Sequence, residues 1–459
     1  MAAATWMVEA RQKVYPRSVQ GPLTRWRWLT VWLTQLVFYG LPWLPWGNRQ
    51  SVLFDLEARR FYVFDLVLYP QDFVYLTGLL IISALSLFLF TAVAGRLWCG
   101  FACPQTVYTE IFLWIERRFE GDRSARMRRD ASGNMSDRFM RKAGKHLAWM
   151  VTAMWTGLTF VGYFTPIRDL LPQLVQLNLG SWEIFWVLFY GLATYGNAGF
   201  MREMVCKHMC PYARFQSAMF DKDTLIVTYD RERGEPRGAR SRKADSDALH
   251  LGSCIDCHLC VQVCPTGIDI RKGLQYECIS CGACADVCDS VMDKMQYPRG
   301  LVRYSTQNAL THRWTNSKAL RQIFRPRVLA YAAMLLGLIA AMVISLAMRH
   351  PFKVDIERDR GVVARIVQAG YIENVYRLQI MNATERSQQY RLSVTGLPGL
   401  KLIPVDPVVV DATQATTIPV RLQLAPDVVS RGAHEVFFEV EAIEGGSRLR
   451  EKTTFVVPN

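Results

Sequence analysis

Cysteine is absent before residue 99 and after residue 288, although the chain of 459 residues contains 12 cysteines. Disulfide bonds are therefore excluded at both ends of the chain. Negative charge is also scarce, with 40 Asp and Glu against 54 Lys and Arg, and the net charge is +14. Together with 51% hydrophobic residues, this composition is too apolar and too basic for an ordinary soluble protein and indicates a membrane protein.

Five apolar runs are long enough to span the hydrocarbon core of a bilayer. They cover residues 28–46, 73–95, 147–164, 182–200 and 328–347. Pro42 and Pro45 interrupt the far end of the first run, but tryptophans flank both of its ends, as in an aromatic belt. No small-residue cleavage site follows this run, so a signal peptide is not indicated and we expect the amino terminus to be retained.

The basic residues between these runs predict the orientation of the chain. Segments 1–27, 96–146 and 201–327 carry 5, 11 and 20 Lys and Arg, whereas segments 47–72 and 165–181 carry 3 and 1. The positive-inside rule therefore places the first three segments in the cytoplasm and residues 350–459 in the periplasm. The basic segment from Arg117 to Lys145 is expected to contact anionic membrane lipid rather than nucleic acid.

Two cysteine runs with the spacing C-x2-C-x2-C-x3-C follow each other in the third cytoplasmic segment. Their members are Cys254, Cys257, Cys260, Cys264, Cys278, Cys281, Cys284 and Cys288. This spacing is typical of a protein that binds two 4Fe-4S clusters, in which three thiolates of one run and the last of the other hold each cluster. Structural zinc is the alternative, but zinc has no use for three close cysteines plus a distant fourth. Asp289 stands where the motif usually has proline.

The remaining cysteines form a repeated C-x3-C-P element. Cys99 and Cys103 precede Pro104, and Cys206 and Cys210 precede Pro211, at a constant offset of 107 residues. Because proline disfavours helical geometry in the residue before it and suits the first helical turn, Cys103 and Cys210 are predicted to lie at the amino ends of helices. The helix dipole and nearby basic residues would then make these thiols more acidic.

Two equivalent thiol pairs could converge on one site between the repeats. Met201, Met204, His208 and Met209 lie beside the second pair. Cysteine and methionine sulfur prefer Cu(I), so Cys99, Cys103, Cys206 and Cys210, with His208 as a further ligand, predict a copper site. The alternative is that these are unpaired thiols at helix ends, or that they bind a third iron–sulfur cluster.

The residues after Phe352 have a different pattern. Short alternating runs at 375–381, 416–424 and 435–441 are separated by Gly- and Pro-containing turns. This pattern predicts a small antiparallel β-sandwich of immunoglobulin type without a disulfide. It could be a passive cap or a docking module.

The chain as a whole resembles the cytochrome c oxidase accessory proteins called CcoG, FixG or RdxA. The resemblance rests on the two cluster motifs, the two C-x3-C-P elements, the five apolar runs and the β-domain, above all on the segment Trp98-Cys99-Gly-Phe-Ala-Cys103-Pro104-Gln105. It implies a bacterial inner-membrane cupric reductase that converts Cu(II) to Cu(I) during assembly of cbb3-type oxidase. The four C-x3-C-P cysteines would then be the catalytic residues, and the eight others would bind the two 4Fe-4S clusters.

We therefore predict an α-helical polytopic membrane protein with about five transmembrane helices, an inserted cytoplasmic dicluster ferredoxin-like domain and a carboxy-terminal immunoglobulin-like β-sandwich. The expected boundaries are a cytoplasmic tail (1–27), a four-helix membrane region (28–220), the cluster domain (221–325), a fifth membrane helix (326–349) and a periplasmic domain (350–459). Expected partners are membrane lipid, a copper carrier or transporter, the oxidase assembly machinery and a cytoplasmic electron donor, with a homodimer left open. Alternative functions are a quinol- or ferredoxin-linked electron-transfer subunit and a non-enzymatic assembly scaffold.

The orientation can be tested with fusions to a reporter that is active only outside the cytoplasm. The uneven distribution of basic residues predicts an active reporter after Phe352 and an inactive one near Lys294. The reverse pattern would place the cysteine motifs in an oxidising compartment and contradict the five-span topology.

Overall fold

A computed structural model describes the chain except for residues 1–13, 132–134, 244–248, 315–317, 319–320, 360–363, 368–369, 404–406, 427 and 459. The chain divides into two compact units, which span Met1–Leu53 with Leu76–Ile339, and Phe54–Tyr75 with Ala340–Asn459. Residues 1–13 of the predicted cytoplasmic tail lie outside the described residues.

Helices dominate the first unit. In chain order the helices are α1 (Pro22–Gly40), α2 (Phe73–Ala94), α3 (Leu97–Phe101), α4 (Pro104–Glu120), α5 (Arg123–Ala131), α6 (Met135–Val161), α7 (Ile167–Val175), α8 (Ser181–Gly196), α9 (Arg202–Met204), α10 (Pro211–Met219), α11 (Arg231–Gly234), α12 (Leu259–Gln262), α13 (Ala283–Met295), α14 (Gln307–Thr311) and α15 (Pro326–Ala347). Two π-helical turns, Asn197–Met201 and Val205–Met209, flank α9.

Each predicted span falls on a helix, but the helices differ in how well they suit a membrane. Among the described residues, Pro70–Ala94 and Pro326–Ala347 are long and apolar enough to cross one. α8 has only 16 residues, and the first half of α6 is polar. α1 ends at Gly40 rather than Trp46, because Pro42 enters a 3-10 turn and Pro45 begins a short strand. The five-span topology therefore stays a prediction.

The cluster domain is an insertion between α10 and α15. Strands β6 (Ile226–Tyr229) and β7 (Val302–Ser305) pair antiparallel at its base. α13 continues past Cys288 to Met295, and Asp289 within it accepts a hydrogen bond from the backbone N–H of Gly300 at 2.8 Å. The residue that replaces the usual proline thus keeps the helix continuous, since proline would remove a backbone donor and clash with the preceding turn.

A buried carboxylate fixes this insertion to α1. Asp286 of α13 accepts hydrogen bonds from the backbone N–H of Leu23 and Thr24, at 3.2 and 2.7 Å, and from the Thr24 hydroxyl. These amides lie in the first turn of α1, where backbone donors lack helical partners and the helix dipole favours negative charge. The ideal Cβ of Gly21 would lie 2.3 Å from the Asp286 carboxyl carbon, so a side chain there would block the contact.

Part of the predicted lipid-binding basic segment is used inside the protein. Arg126 and Lys145 form ion pairs with Glu116 and Glu120, at 2.7 Å for Arg126–Glu116 and 2.9 Å for Lys145–Glu120. Arg202, close to the second C-x3-C-P element, also pairs with Glu116 at 3.0 Å. This buried network connects α4, α5, α6 and α9.

The second unit contains a two-sheet β-sandwich, as the alternating runs predict. Its strands are β8 (Phe352–Arg358), β9 (Arg365–Ile366), β10 (Ile372–Asn382), β11 (Gln388–Thr395), β12 (Lys401–Ile403), β13 (Val408–Val410), β14 (Ala415–Leu424), β15 (Gly432–Ala442) and β16 (Arg448–Val457). One sheet has the order β12-β14-β10-β8, with β9 also paired to β10, and the other has the order β13-β11-β15-β16. Alternate side chains such as Tyr376, Tyr390 and Phe438 fill the core.

Residues 54–75 join this sandwich. They include the short strands β4 (Arg60–Val63) and β5 (Leu66–Leu68), which pair antiparallel. The Tyr69 hydroxyl donates to the carbonyl of Asn382 at 2.8 Å, and the buried Asp72 carboxylate pairs with Arg349 at 2.6 Å and with Lys353. The sequence did not indicate that the loop between the first two apolar runs belongs to the β-domain.

The two faces of β15 give a matched test of this core. Phe438→Ala should lower the free energy of unfolding of the second unit by about 3–5 kcal/mol, because the ring is fully buried. Phe437→Ala should cost about 1 kcal/mol or less, since that ring lies on the other face under Arg450. Denaturant-dependent proteolysis of the full chain in detergent would measure both, and equal losses would contradict the assignment.

Candidate iron–sulfur and thiol sites

Two cavities in the cluster domain are lined by cysteine side chains. The larger has an empty volume of about 390 Å³, including its open mouth, and is lined by Cys254, Cys257, Cys260 and Cys288. The smaller has an empty volume of about 350 Å³, including its open mouth, and is lined by Cys264, Cys278, Cys281 and Cys284, and also by Cys260, which lines both. Each cavity thus receives three cysteines of one run and the last of the other, which is the grouping that the crossed arrangement predicts.

The loops between these cysteines bend sharply enough to wrap each cavity. Asp256, His258 and Ser280 have φ between 53° and 56°, and Gly282 has φ of 74°. Buried Arg271 braces the first loop, because its guanidinium pairs with Asp269 at 2.7 Å, with Asp256, and with Nδ1 of His258 at 2.9 Å. In the second loop the backbone N–H of Ser280 donates to Sγ of Cys278 at 3.4 Å. Such donors stabilise a thiolate that binds iron.

Burial controls the acidity of these cysteines. It raises the pKa of Cys260, Cys278 and Cys288 to about 12, because a thiolate loses its hydration in the apolar interior. Metal that binds these thiols must therefore displace their protons. Soft sulfur donors around an apolar cavity, four to a cavity, fit a 4Fe-4S cluster.

The two C-x3-C-P elements have the predicted relation to their helices. Cys103 lies immediately before α4, with Pro104 at the first helical position, and Cys210 lies immediately before α10 in the same way with Pro211. Cys99 lies in α3, whereas Cys206 and His208 lie in the π-helical turn Val205–Met209. The local prediction of a helix break at each proline is confirmed.

The four thiols of these elements converge. Cys99 and Cys206 pack against the same apolar cluster. Charge on Cys103 or Cys210 raises the pKa of Cys99 and of Cys206, so all four thiols lie within electrostatic reach of one another. We call Cys99, Cys103, Cys206 and Cys210 the thiol quartet.

The lowered pKa predicted for a thiol at a helix amino end is wrong for Cys103. The pKa of Cys99 and of Cys206 is raised to about 12, and that of Cys103 is also raised. Burial is the largest cause, and the proximity of the other thiols adds to it; together they outweigh Arg96 and the backbone N–H groups at the start of α4. A helix terminus lowers a thiol pKa effectively only where solvent or a cation can stabilise the thiolate.

In the described part of the chain, no three His, Cys, Asp or Glu side chains are close enough together to hold one metal ion. The same holds for the two cysteine cavities, where the thiols surround a volume instead of meeting at a point. A quartet in this state could hold an ion between two of its thiols or a larger metal centre between all four.

The quartet lies directly beside the smaller cysteine cavity. An ideal Cβ on Gly100 would be 2.7 Å from the carbonyl oxygen of Ile279 and 2.8 Å from Cα of Cys281. The glycine therefore permits the C-x3-C loop to touch the backbone of the cysteine loop. Buried Arg96 adjoins both places, since it interacts electrostatically with Cys99, Cys206 and Cys278.

Sequence reasoning missed Gly100, Arg96 and Arg271. Gly100 carried a signal, because it lies inside a helical segment of the first repeat and Lys207 occupies its place in the second. No sequence feature indicated a role for Arg96 or Arg271, since nothing in the sequence distinguishes a buried arginine from an exposed one.

Known proteins share this combination of elements. Family models match residues 201–307 (4Fe-4S dicluster domain), residues 76–121 (4Fe-4S binding domain) and residues 342–458 (IG-like fold at the C-terminal of FixG). The nitrogen fixation protein FixG of Rhizobium meliloti is 35% identical over 85% of this chain and 81% of its own length. Protein RdxB of Cereibacter sphaeroides is 36% identical over 97% of this chain and 96% of its own. A solved FixG-related protein from Vibrio parahaemolyticus covers 24% of this chain and 97% of its own, with 23% identity and a TM-score of 0.22.

The cluster motifs, the apolar helices and these homologues define an iron–sulfur membrane protein with ferredoxin-like 4Fe-4S domains. The chain belongs to the family of FixG, RdxA and RdxB. The family resemblance drawn from the sequence is confirmed.

The contact at Gly100 can be tested directly. Gly100→Ala should force the two loops apart at a cost of about 1–3 kcal/mol, because the methyl group meets backbone rather than a flexible side chain. We expect less iron at the cavity that contains Cys281 and slower electron transfer, measured by metal analysis and electron paramagnetic resonance. Gly196→Ala is the control, since its Cβ would meet nothing within 4 Å. Normal iron and rates in Gly100→Ala would show that the contact is dispensable.

Proposed function

We propose that this chain is an inner-membrane iron–sulfur oxidoreductase that reduces Cu(II) to Cu(I) and thereby supplies copper for assembly of a cbb3-type oxidase. The observation that carries the proposal is the convergence of four soft sulfur donors directly against a cysteine cavity of the cluster domain. Sulfur ligands favour Cu(I) over Cu(II), so a bound cupric ion becomes easier to reduce there.

The cysteine cavities would hold the electron carriers. Cys254, Cys257, Cys260 and Cys288 would ligate one 4Fe-4S cluster, and Cys264, Cys278, Cys281 and Cys284 would ligate the other. When bound, such clusters supply one electron at a time.

The quartet would bind the copper substrate. Each Cu(II) takes up one electron to become Cu(I), and the thiols that ligate it release their protons on binding. Thiols of the quartet would be the ligands of the ion, with His208 in a supporting role. Cys99 is oriented by Gln216, whose side-chain oxygen accepts a hydrogen bond from Sγ at 3.5 Å.

The proposed orientation has the cysteine motifs in the cytoplasm and residues 350–459 in the periplasm. It is supported by the second unit, in which residues 54–75 and the β-sandwich form one compact body. The few basic residues in segment 47–72 predict a periplasmic location for it, and the count of five spans predicts the same for residues 350–459. Two segments of one folded body must lie on the same side of a membrane. The β-sandwich would then face periplasmic partners, including the oxidase assembly machinery, and the copper carrier would approach the quartet.

One observation favours a second candidate function. The 4Fe-4S binding model matches residues 76–121, which contain only Cys99 and Cys103, half of a cluster ligand set. The second C-x3-C-P element supplies the other half. The quartet would then hold a third iron–sulfur centre, and the protein would transfer electrons without binding copper there.

Paired serine variants separate the two candidates. We expect Cys99→Ser with Cys103→Ser, and Cys206→Ser with Cys210→Ser, to leave about eight iron atoms per chain and normal cluster spectra, since the cluster-domain ligands remain. Reduction of Cu(II) by pre-reduced protein should nevertheless fall, because serine oxygen is a poor ligand for Cu(I). His208→Ala is the control and should have the smaller effect.

Iron content decides the outcome. A fall from about twelve to about eight iron atoms per chain in the serine variants would establish the third centre instead of a copper site. Copper reduction at the wild-type rate in both pairs, with iron unchanged, would overturn both candidates.

A further inference from the structure

A third cavity lies beside the cluster domain and is used by neither proposed function. Its empty volume, including its open mouth, is about 1760 Å³. Its apolar wall includes Val93 near the end of α2, Leu225, Leu310 of α14 and Ile323 just before α15. Charged residues form much of the remaining wall, namely Asp223, Asp230, Glu232, Arg233, Arg303 and Arg313. Pockets that combine an apolar wall with polar groups are typical binding sites for small molecules.

Tyr304 separates this cavity from the smaller cysteine cavity. Its side chain lines the third cavity, and its hydroxyl donates to the carbonyl of Ser280 at 2.5 Å, between Cys278 and Cys281. The same hydroxyl is 3.3 Å from the ideal Cβ position of Gly282, which lines the cysteine cavity. A molecule bound against Tyr304 would thus be one side chain away from the cysteine loop.

The charges in the cavity wall compensate one another. Arg303 pairs with Asp230 and Arg313 pairs with Glu232, each at 3.0 Å. Arg233 donates to the backbone carbonyl of Arg299 at 3.0 Å. Arg303 and Arg233 are therefore engaged within the protein, whereas the ion pair of Arg313 is largely exposed. A phosphate-bearing donor such as a nicotinamide or flavin nucleotide would have to break the contacts of Arg303 and Arg233. An uncharged ring suits the cavity better.

The cavity also lies near the carboxy-terminal end of α2 and the start of α15. The guanidinium of Arg325, just before α15, donates to the carbonyl of Ala92 near the end of α2 at 2.6 Å. α2 and α15 are the helices that are long and apolar enough to cross a membrane among the described residues. Phe324, beside Ile323, is 71% exposed at this junction. A donor dissolved in the bilayer could therefore reach the cavity from the apolar side.

We propose that this cavity binds the head group of a membrane quinol and accepts its electrons. The quinol is oxidised to the quinone, and it gives up two electrons and two protons. The two 4Fe-4S clusters that the cysteine cavities would hold would take up the electrons, one each, and the protons would leave to water at the open mouth of the cavity, past Asp223. The inference rests on the iron–sulfur part of the proposed function but not on its copper part.

The test uses the full chain, purified without oxygen and placed in lipid nanodiscs, with a short-chain quinol analogue as donor. A fall in visible absorbance reports reduction, and so does the electron paramagnetic resonance signal of the reduced clusters. Dithionite defines the full extent of reduction. Binding of the oxidised analogue is measured separately by equilibrium dialysis. Leu310→Trp should fill the cavity and slow quinol-driven reduction by about tenfold or more, with weaker quinone binding and unchanged dithionite reduction.

Two further variants make the result specific. Ile323→Trp fills the cavity from another side and should have the same effect as Leu310→Trp. It takes the place of Leu310→Trp in the test if that variant folds poorly. Leu336→Trp is the control, because Leu336 is 65% exposed on α15 away from the cavity, and it should behave like the wild type.

Wild-type quinol rates and quinone binding in both filled variants would overturn the proposal. Reduction by NADH or reduced flavin, with none by the quinol, would overturn it as well. Copper reduction is measured in a separate assay with dithionite-reduced protein. Failure of the copper proposal would change the result of that assay alone, whereas failure of the quinol proposal would change quinol-driven reduction and quinone binding.

Discussion

The close approach of two backbone segments at Gly100 is the constraint on which the rest of this protein depends. The C-x3-C loop of the first repeat and the loop that carries Cys278 and Cys281 touch there, with no room for a methyl group. Electron transfer between metal centres requires such proximity, and a longer side chain would separate the centres by its own width. Asp286 secures the same arrangement from the other side, because it binds the amino end of α1 to the helix that carries Cys284 and Cys288.

Local sequence patterns predicted the secondary-structure elements, whereas burial determined the pKa values of the thiols. The proline after each C-x3-C pair fixes a helix start, and the structure has α4 and α10 beginning at Pro104 and Pro211. The acidity expected of thiols at such positions does not follow, since it depends on what surrounds the sulfur. Burial raises the pKa of Cys103, an outcome that sequence spacing cannot show.

Much of the fold could be predicted from periodicity and spacing. The alternation in residues 375–381 and 435–441 predicts strands, and both lie within β10 and β15. The cysteine spacing predicts which thiols share a cavity, because short loops limit where each can reach. The association of residues 54–75 with the β-sandwich could not be predicted, as it depends on tertiary contacts such as Asp72 with Arg349. The third cavity could not be predicted from the sequence either, since residues from distant segments of the chain form its wall.

The divergence of the two repeats follows from their different neighbours. Both repeats provide a thiol pair before a helix, but only the first must pass a cysteine loop at backbone distance, so it has Gly100 where the second has Lys207. The second repeat instead has π-helical turns on either side of α9, and Arg202 in that short helix joins the buried Glu116 network. Arg202 thus joins the second repeat to the helix that follows the first C-x3-C-P element, while Cys99 and Cys206 both pack against the cluster domain. Both halves of the repeat contribute thiols to the quartet, and neither could supply all four.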